Sequence, residues 1–328
     1  MRFAEMEGNG AVMAALRRMV DSARVPHAIL LHEDDGGGGV AMALSFLQYL
    51  YCRDRSGGDS CGTCPACNKI SKMIHPDVHF IFPVTTGTLS VSYAAQWRDL
   101  VKSNPYFTEY DLGAALGIEG KSTMIAVAEA KALIEKLSLY ALEGGYRSVL
   151  IYLPEKMNAE AANRLLKLIE EPPAMTEFLL VTHAPEKVLP TISSRCQRIR
   201  IQPRKGAGMQ TSEESVALLA SLMEAELSRN LTSALEVCES IAAIPSRDGA
   251  RMFCKYASDR MRELFLHQQG LSALSSGDAD VASWAKRCRK TFPRHALGAF
   301  DRAALLVDRN VNVKIIFAEL ACSLYRIV

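Results

Sequence analysis

The chain has 328 residues, of which 49% are hydrophobic and 23% are charged, and its formal net charge is +2. This length allows two or three domains with real cores, and the composition is typical of a soluble globular protein. No apolar run approaches the ~20 residues of a membrane span and the N-terminus lacks a signal-peptide pattern, so we expect a cytoplasmic protein without membrane contacts. Such a small net charge does not by itself indicate nucleic-acid binding.

The first predicted elements lead into a glycine loop. Residues 1–25 contain apolar positions at helical spacing, and residues 28–31 form a short apolar run typical of a buried parallel strand. Gly36 to Gly39 follow, just before an apolar segment of helix length at residues 40–51. The order strand, glycine loop, helix is that of a P-loop, in which backbone amides at a helix N-terminus bind nucleotide phosphates.

This loop lacks the residues that a working P-loop requires. In the pattern G-x-x-x-x-G-K-[ST], Glu33 replaces the first glycine, Gly39 replaces the lysine and Val40 replaces the magnesium-binding hydroxyl. Glu33 and its two acidic neighbours also place negative charge where a triphosphate would bind. The stretch alone is equally compatible with an ordinary glycine turn. The degenerate P-loop that we predict, without bound ATP, consists of Gly36, Gly38, Gly39 and Val40.

Four of the nine cysteines have the spacing of metal ligands. Eight, two and two residues separate them, which brings four thiolates within reach of one tetrahedral ion. We therefore predict a structural zinc site without an open position for a catalytic water. An iron–sulfur cluster and a contribution from His75 remain alternatives. The predicted ligands are Cys52, Cys61, Cys64 and Cys67.

A second departure from the pattern of P-loop ATPases lies at the end of a predicted strand. Residues 78–84 and 148–153 read as strands, and residues 85–122 lack periodicity and are expected to form a surface insertion. In a P-loop ATPase the second of these strands ends in an Asp-Glu pair that serves magnesium and the attacking water. Leu153 and Pro154 occupy those places here, and neither side chain can bind magnesium.

Downstream, one arginine and one histidine follow predicted secondary structure. Residues 158–171 predict a helix, residues 178–182 a strand with His183 at its C-terminal end, and residues 197–201 a last strand. Arg195 is either an ordinary surface arginine or a finger that reaches a phosphate on a neighbouring subunit. From Ser212 onward, apolar stripes without a catalytic cluster predict a helical bundle.

These residues together resemble the clamp-loader branch of the AAA+ ATPases, most closely the delta-prime subunits of bacterial DNA polymerase III. The resemblance covers residues 1–203 and is specific as a set of motifs. The matching motifs are Pro26-His27-Ala28, the four cysteines, His75-Pro76-Asp77, Ala161 to Lys167 with Glu170-Glu171-Pro172-Pro173, and Leu189 to Cys196.

The resemblance implies a fold and a domain organisation. Residues 1–203 would form an AAA+ type α/β domain with a parallel sheet, an inserted zinc module at 52–67 and the insertion at 85–122. Residues 204–211 would be a linker or the remnant of a lid, since the usual lid of roughly forty residues does not follow the last strand. Alternatively, a reduced lid would be folded into residues 212–243 and the collar would be short. Residues 212–328 would form an all-α collar that holds a ring of subunits together.

The resemblance also implies a function. Delta-prime subunits lack a working ATP site, so this chain would be a stationary scaffold whose Arg195 completes the ATP site of a neighbouring gamma/tau-type subunit. Its other partners would be the delta subunit and, through the complex, the sliding clamp and primer-template DNA. One alternative is a divergent gamma/tau-like ATPase that binds nucleotide itself. The other, a zinc-dependent DNA-binding module, would rely on Arg53, Arg55, Lys69 and Lys72, offset by Asp54 and Asp59.

Overall fold

The structure is a computed structural model, and it describes residues 1–202, 213–244, 246–271 and 278–328. The chain divides into two compact units, Met1–Arg204 and Lys205–Val328. The predicted linker at 204–211 lies outside the described residues. The assignment of residues 212–328 as a collar stays a prediction.

The first unit contains a five-stranded parallel sheet, as predicted. Its strand order is β2-β5-β6-β1-β7, and β1 is hydrogen-bonded to β6 on one side and β7 on the other. Strands that are covered on both faces are apolar along their whole length, which explains the continuous runs in the sequence. The strands are β1 (Ala28–His32), β2 (Val78–Ile81), β5 (Arg147–Tyr152), β6 (Thr176–Thr182) and β7 (Gln197–Arg200), and β3 (Val84–Thr85) pairs antiparallel with β4 (Thr123–Met124) outside this sheet.

Helices cover both faces of the sheet. Successive side chains of β1 point to opposite faces, so that Ile29 and Leu31 join one hydrophobic core while Ala28 and Leu30 join another. The helices are α1 (Gly10–Asp21), α2 (Gly39–Tyr51), α3 (Pro65–Ser71), α4 (Ala94–Ser103), α5 (Glu109–Leu116), α6 (Val127–Leu137), α7 (Ala159–Glu170) and α8 (Pro190–Ser193).

Two predictions for the first unit were wrong in part. The strand predicted at 78–84 ends at Ile81, and Val84 begins the short ribbon with β4. Residues 85–122 do have regular structure, because they form α4 and α5. These helices bury Trp97, Val101 and Leu112 in the core of the unit. The expected lack of regular structure was therefore wrong, while the assignment of the segment as an insertion stays a prediction.

The second unit is helical throughout its described residues. Phe253 lies at the centre of its core and makes edge contacts with Phe300 and Phe317. This confirms the predicted helical C-terminal region. Among the described residues no helix combines the length and the apolar character needed to cross a bilayer. The helices are α9 (Glu213–Leu227), α10 (Leu231–Ala242), α11 (Arg247–Gln268), α12 (Ala279–Arg287), α13 (Phe292–Asp308) and α14 (Val313–Ile327).

Candidate functional site

The glycine loop connects β1 to α2, and a carboxylate of the chain itself occupies its anion position. Gly38, with a φ of 95°, is the N-cap of α2, and Gly39 is the first helical residue. The free amides at such a helix start are the groups that bind phosphate in a P-loop. Here Oε2 of Glu33 accepts a hydrogen bond of 2.5 Å from the Gly39 amide. Glu33 is 7% exposed, so the carboxylate is enclosed in the loop.

The glycines make room for this carboxylate. A Cβ atom on Gly37 would lie 2.7 Å from a carboxylate oxygen of Glu33, and one on Gly39 would lie 2.8 Å from the other. A Cβ on Gly39 would also lie 2.7 Å from the Val181 side chain. These distances are too short for real carbon contacts, so larger residues would force the carboxylate out of the loop.

The loop is covered by the segment between α4 and α5. A Cβ on Gly38 would lie 2.6 Å from the ring of Tyr106, so this ring packs directly against the loop backbone. The amide of Glu109 donates a 3.0 Å hydrogen bond to Oδ1 of Asp35. The segment that the sequence analysis assigned to a surface insertion therefore closes the outer side of the glycine loop.

His183 lies between two acidic side chains of this loop. Its Nε2 is 3.5 Å from Oε1 of Glu33, and its Nδ1 is 3.3 Å from Oδ1 of Asp35. Burial alone would lower the pKa of His183, but the neighbouring carboxylates of Asp35, Glu33 and Glu155 outweigh it and raise the pKa above its ordinary value. The raised pKa favours the protonated imidazole, which would place a cation between the two carboxylates.

The position expected to hold magnesium is apolar, and the nearby carboxylate of Glu155 accepts hydrogen bonds from the chain itself. Leu153 is 1% exposed and adopts a left-handed conformation with a φ of 56°. Pro154 then begins a short 3₁₀ helix. The carboxylate of Glu155 accepts hydrogen bonds from the Thr182 hydroxyl (2.7 Å), the His183 amide (2.9 Å) and the Ala184 amide (3.2 Å). Glu155 thus connects the short 3₁₀ helix after β5 to the residues at the end of β6 through these hydrogen bonds.

The four predicted metal ligands meet in one place. The Sγ atoms of Cys52, Cys61, Cys64 and Cys67 all lie within 4.8 Å of one another, and those of Cys61 and Cys67 are 3.9 Å apart. Tetrahedral zinc with Zn–S bonds of about 2.3 Å requires S···S separations of about 3.8 Å. The cluster therefore has the dimensions of a site for one ion.

Backbone amides around the cluster favour thiolates. The amide of Cys61 donates to Sγ of Cys52 at 3.2 Å, and the amide of Cys64 donates to Sγ of Cys61 at 3.3 Å. Hydrogen bonds from the amides of Thr63 and Cys64 lower the pKa of Cys61 to about 6. Burial raises the pKa of Cys67, so a bound cation is what would hold that sulfur as a thiolate.

His75 is not among the grouped ligands, because its imidazole is used elsewhere. Its Nδ1 accepts the Asp77 amide at 3.2 Å, and its Nε2 lies 3.5 Å from Oε2 of Glu143. Among the described residues, the four cysteines form the one group of this kind that could hold a metal ion.

Arg195 lies between α8 and β7 and is held by its own subunit. One guanidinium nitrogen lies 2.5 Å from Oε1 of Glu170, and the other donates a 2.9 Å hydrogen bond to the Thr191 carbonyl. The side chain is 38% exposed, so it is accessible from outside the unit. Its partner Glu170 belongs to the Glu-Glu-Pro-Pro motif that ends α7.

Sequence reasoning missed three groups at the glycine loop. It treated Glu33 as a lost glycine and as a negative charge that opposes a triphosphate, but not as an acceptor for the Gly39 amide. It did not connect Tyr106 or His183 with the loop. The position of His183 at the end of β6 was the available indication, because residues at the carboxyl ends of neighbouring parallel strands converge.

Comparison with known proteins identifies the family. The family model described as "DNA polymerase III, delta subunit" matches residues 8–205. The chain belongs to this family. The delta-prime subunit of DNA polymerase III from Yersinia pestis is 32% identical over 214 residues, which cover 61% of this chain and 52% of that protein. The delta-prime subunit from Bacillus subtilis is 27% identical over 238 residues, covering 72% and 61%.

A second group of clamp-loader subunits is also similar. The gamma/tau subunit of DNA polymerase III from Mycobacterium tuberculosis H37Rv is 26% identical over 193 residues, which cover 59% of this chain and 27% of that protein. This chain spans about half the length of the curated delta-prime relatives that it matches. The predicted resemblance to clamp-loader delta-prime subunits is thereby confirmed.

Proposed function

We propose that this chain is a non-hydrolysing, delta-prime-like subunit of the DNA polymerase III clamp loader. It acts as a stationary scaffold and donates Arg195 to the ATP site of a neighbouring gamma/tau-type subunit while the sliding clamp is loaded on primed DNA. The delta subunit would be a further partner in the complex. The observation that carries the proposal is the Glu33 carboxylate on the first amide of α2, where a nucleotide phosphate would bind.

Several features support the absence of ATP binding. A bound triphosphate would have to displace Glu33 from the loop and then lie beside Asp35, without a lysine to compensate its charge. It would also have to displace the Tyr106 ring from Gly38. The position of the magnesium ligands holds Leu153 and Pro154 instead.

The exposed guanidinium of Arg195 supports the finger role. A guanidinium stays charged at all physiological pH values and matches phosphate oxygens through two parallel hydrogen bonds. The ion pair with Glu170 orients the side chain on its own subunit, and a partner's phosphate would compete with this carboxylate for the same nitrogens.

The cysteine cluster supports a structural role for zinc. Zinc held by four thiolates has no open position for a substrate, so the ion would tie the segment after α2 to α3 and contribute folding energy only. Four Sγ atoms within 4.8 Å of one another fit a single ion.

The finger role is tested by Arg195→Ala in the reconstituted loader. The ATP site that Arg195 completes should lose about 10³-fold or more in rate. The stimulated ATPase rate should therefore fall to what the remaining sites supply, while the variant still assembles. The measurement is steady-state ATP hydrolysis in the presence of clamp and primed DNA, with assembly checked by gel filtration.

Arg164→Ala is the matched control. Arg164 is 43% exposed and, like Arg195, forms an ion pair with a glutamate, in this case Glu160. The control should retain the full rate. An unchanged rate in Arg195→Ala, or an equal loss in both variants, would remove the finger role.

The nucleotide site is tested separately by calorimetric titration of Mg·ATP into the purified chain. We expect no saturable heat at high micromolar ATP. Saturable binding would favour the divergent gamma/tau-like ATPase, and this outcome would not bear on Arg195, which acts on another subunit's nucleotide.

A further inference from the structure

A cavity of about 320 Å³ lies beside the cysteine cluster, and none of the roles described above uses it. This volume is at the lower end of the range of about 300–1,000 Å³ found for small-ligand sites. Its floor includes Tyr51 and His75, whose rings meet edge to face with centroids 4.6 Å apart. Its walls include Arg53, Arg55 and the loop from Glu143 to Tyr146.

The two arginines supply positive charge that no acid among the described residues pairs with. Both are exposed, and among the described residues neither forms an ion pair. The guanidinium of Arg55 lies 5.4 Å from the centre of the Tyr49 ring, which leaves its nitrogens available for hydrogen bonds. Guanidinium groups of this kind bind planar or tetrahedral oxyanions through paired hydrogen bonds.

The acidic side chains near the cavity, Glu143 and Asp77, already interact with other groups of the chain. Glu143 forms an ion pair with Lys69, and its other carboxylate oxygen lies 3.5 Å from Nε2 of His75, whose pKa is lowered by burial. Asp77 accepts the amides of Leu142 and Glu143 at 2.7 and 2.9 Å. Cation binding in this cavity would therefore compete with the formed ion pair and face two arginines.

Asp59, whose charge offsets the arginines in the sequence, also has hydrogen-bond partners within the chain. Its carboxylate accepts hydrogen bonds from the amides of Phe3, Ala4 and Ser60 at 3.3, 2.8 and 2.7 Å. Of the two acids that offset the arginines in the sequence, only Asp54 remains exposed without such a bond among the described residues.

The glycine pair in the wall adds backbone donors. Gly144 and Gly145 both have positive φ, 71° and 98°. Their amides donate to no acceptor within the described part of the chain. Successive free amides in such turns form concave sites for anions.

We propose that this cavity binds a phosphate-type anion, either a free phosphate compound or a phosphodiester of a nucleic acid. Arg53 and Arg55 would hold its oxygens from one side, and the amides of Gly144 and Gly145 would donate from the other. The site is independent of the proposed function, since a clamp-loader scaffold with a disabled P-loop does not require it.

The test uses the full-length chain with inorganic pyrophosphate as the first probe. Titration followed by ¹H–¹⁵N spectra should shift the amide resonances of Gly144 and Gly145. In the double variant Arg53→Ala/Arg55→Ala the dissociation constant should rise at least about tenfold, because each charge-assisted hydrogen bond is worth about that factor. The double variant Arg53→Lys/Arg55→Lys keeps the positive charge but loses the paired guanidinium donors. Its dissociation constant for pyrophosphate should lie between those of the unaltered chain and the alanine variant.

The second probe is a fluorescein-labelled primer-template DNA, followed by anisotropy at several salt concentrations. If the alanine variant binds DNA more weakly and its log–log salt slope falls by about 1–2, the natural ligand is a phosphodiester. If only pyrophosphate binding weakens, the natural ligand is a free phosphate compound. Arg24→Ala, which removes an exposed arginine elsewhere in the same unit, should change neither.

The proposal is overturned if pyrophosphate leaves Gly144 and Gly145 unshifted. It is also overturned if Arg24→Ala weakens binding as much as the double variant, since binding would then reflect net charge only. Circular dichroism melting of each variant separates a lost site from a lost fold.

Discussion

The glycine loop and the cysteine cluster lie in the same unit and both have the geometry of a binding site, but they are completed in different ways. The loop presents a helix N-terminus and satisfies it with the carboxylate of Glu33. The cluster presents four sulfur atoms whose spacing fits an ion. The glycine loop takes its ligand, the Glu33 carboxylate, from the chain itself, whereas the cysteine cluster has the dimensions of a site for a metal ion from solution.

This difference shows how a loop of the P-loop type can be stabilised by a side chain of the chain itself. A helix start with free amides is unfavourable when it is buried, so a loop without phosphate needs another acceptor. Glu33 provides this acceptor, and His183 compensates its charge. The sulfur atoms of the cluster accept hydrogen bonds from the amides of Cys61 and Cys64, but sulfur is only a weak acceptor.

The largest effect is expected from removing one cysteine ligand. Cys61→Ser should lower the zinc content of the purified chain from about one equivalent to near zero. It should also destabilise the first unit by several kcal/mol, since structural zinc supplies about 10–16 kcal/mol in zinc-finger peptides. The measurements are elemental analysis and thermal unfolding.

The control for this variant is Cys322→Ser, which changes an exposed cysteine outside the cluster. It should leave both zinc content and unfolding temperature unchanged. If Cys61→Ser keeps its zinc and its stability, the cluster does not depend on an external ligand and the contrast with the glycine loop is lost.

A smaller effect is expected from removing the internal ligand of the loop. Glu33→Ala leaves the Gly39 amide without its acceptor, at a cost of about 1–3 kcal/mol. Hydrogen exchange at the amides of Gly39 and its neighbours in the first turn of α2 should become at least about fivefold faster. Glu33→Gln retains an acceptor oxygen and should show a smaller change. Unchanged exchange in the alanine variant would mean that the carboxylate does not stabilise the loop.

The elements on both sides of this loop were predictable from the sequence, but its internal closure was not. Residues 28–31 and 40–51 are apolar runs whose lengths and glycine boundary define a buried strand and a helix. Whether Glu33 faces solvent or turns back onto the helix depends on the φ and ψ angles of the glycines, and glycine is the residue that constrains these angles least.

The segment at 85–122 shows a different reason for failure. Its helices are short, and Trp97 and Val101 give only one helical repeat in α4. A usable indication was present in α5, where Thr108 and Asp111 form a capping box before Leu112 and Leu116. The contact of Tyr106 with Gly38 joins residues far apart in the chain, and no local pattern encodes such a contact.

The cysteine spacing was more informative, because a metal site needs only a few residue types at short separations. Cys61, Cys64 and Cys67 are fixed near one another by two overlapping C-x-x-C steps. Cys52 returns at the end of α2, where the helix meets the same segment. A site of this kind can be predicted from the spacing of its ligands. A site that one carboxylate of the chain fills can be predicted only when the backbone conformation is known.

The smallest effect is expected from the pH dependence of His183. Its pKa in the folded chain is raised, because the attraction of Asp35, Glu33 and Glu155 outweighs the opposing effect of burial. The stabilisation is therefore fully present below the ordinary histidine value of about 6.5 and is lost as the pH rises through the folded value. The free energy of opening the glycine loop should fall over this window, with a slope of at most about 1.4 kcal/mol per pH unit, the limit for one proton.

His183→Gln separates this effect from other titrations, since glutamine is neutral at every pH and still donates a hydrogen bond. The opening free energy, obtained from hydrogen exchange at Gly39 after correction for the intrinsic pH dependence of exchange, should fall less steeply with pH above ~6.5 in this variant than in the unaltered chain. Buried Glu177, whose pKa burial raises to about 8, also titrates in this range, but it is unchanged between the two proteins and cancels in their difference. If the two curves are parallel, His183 is neutral in the folded chain. The charge of the two carboxylates would then not be balanced by His183, and the loop would resemble the cysteine cluster in needing a cation from outside.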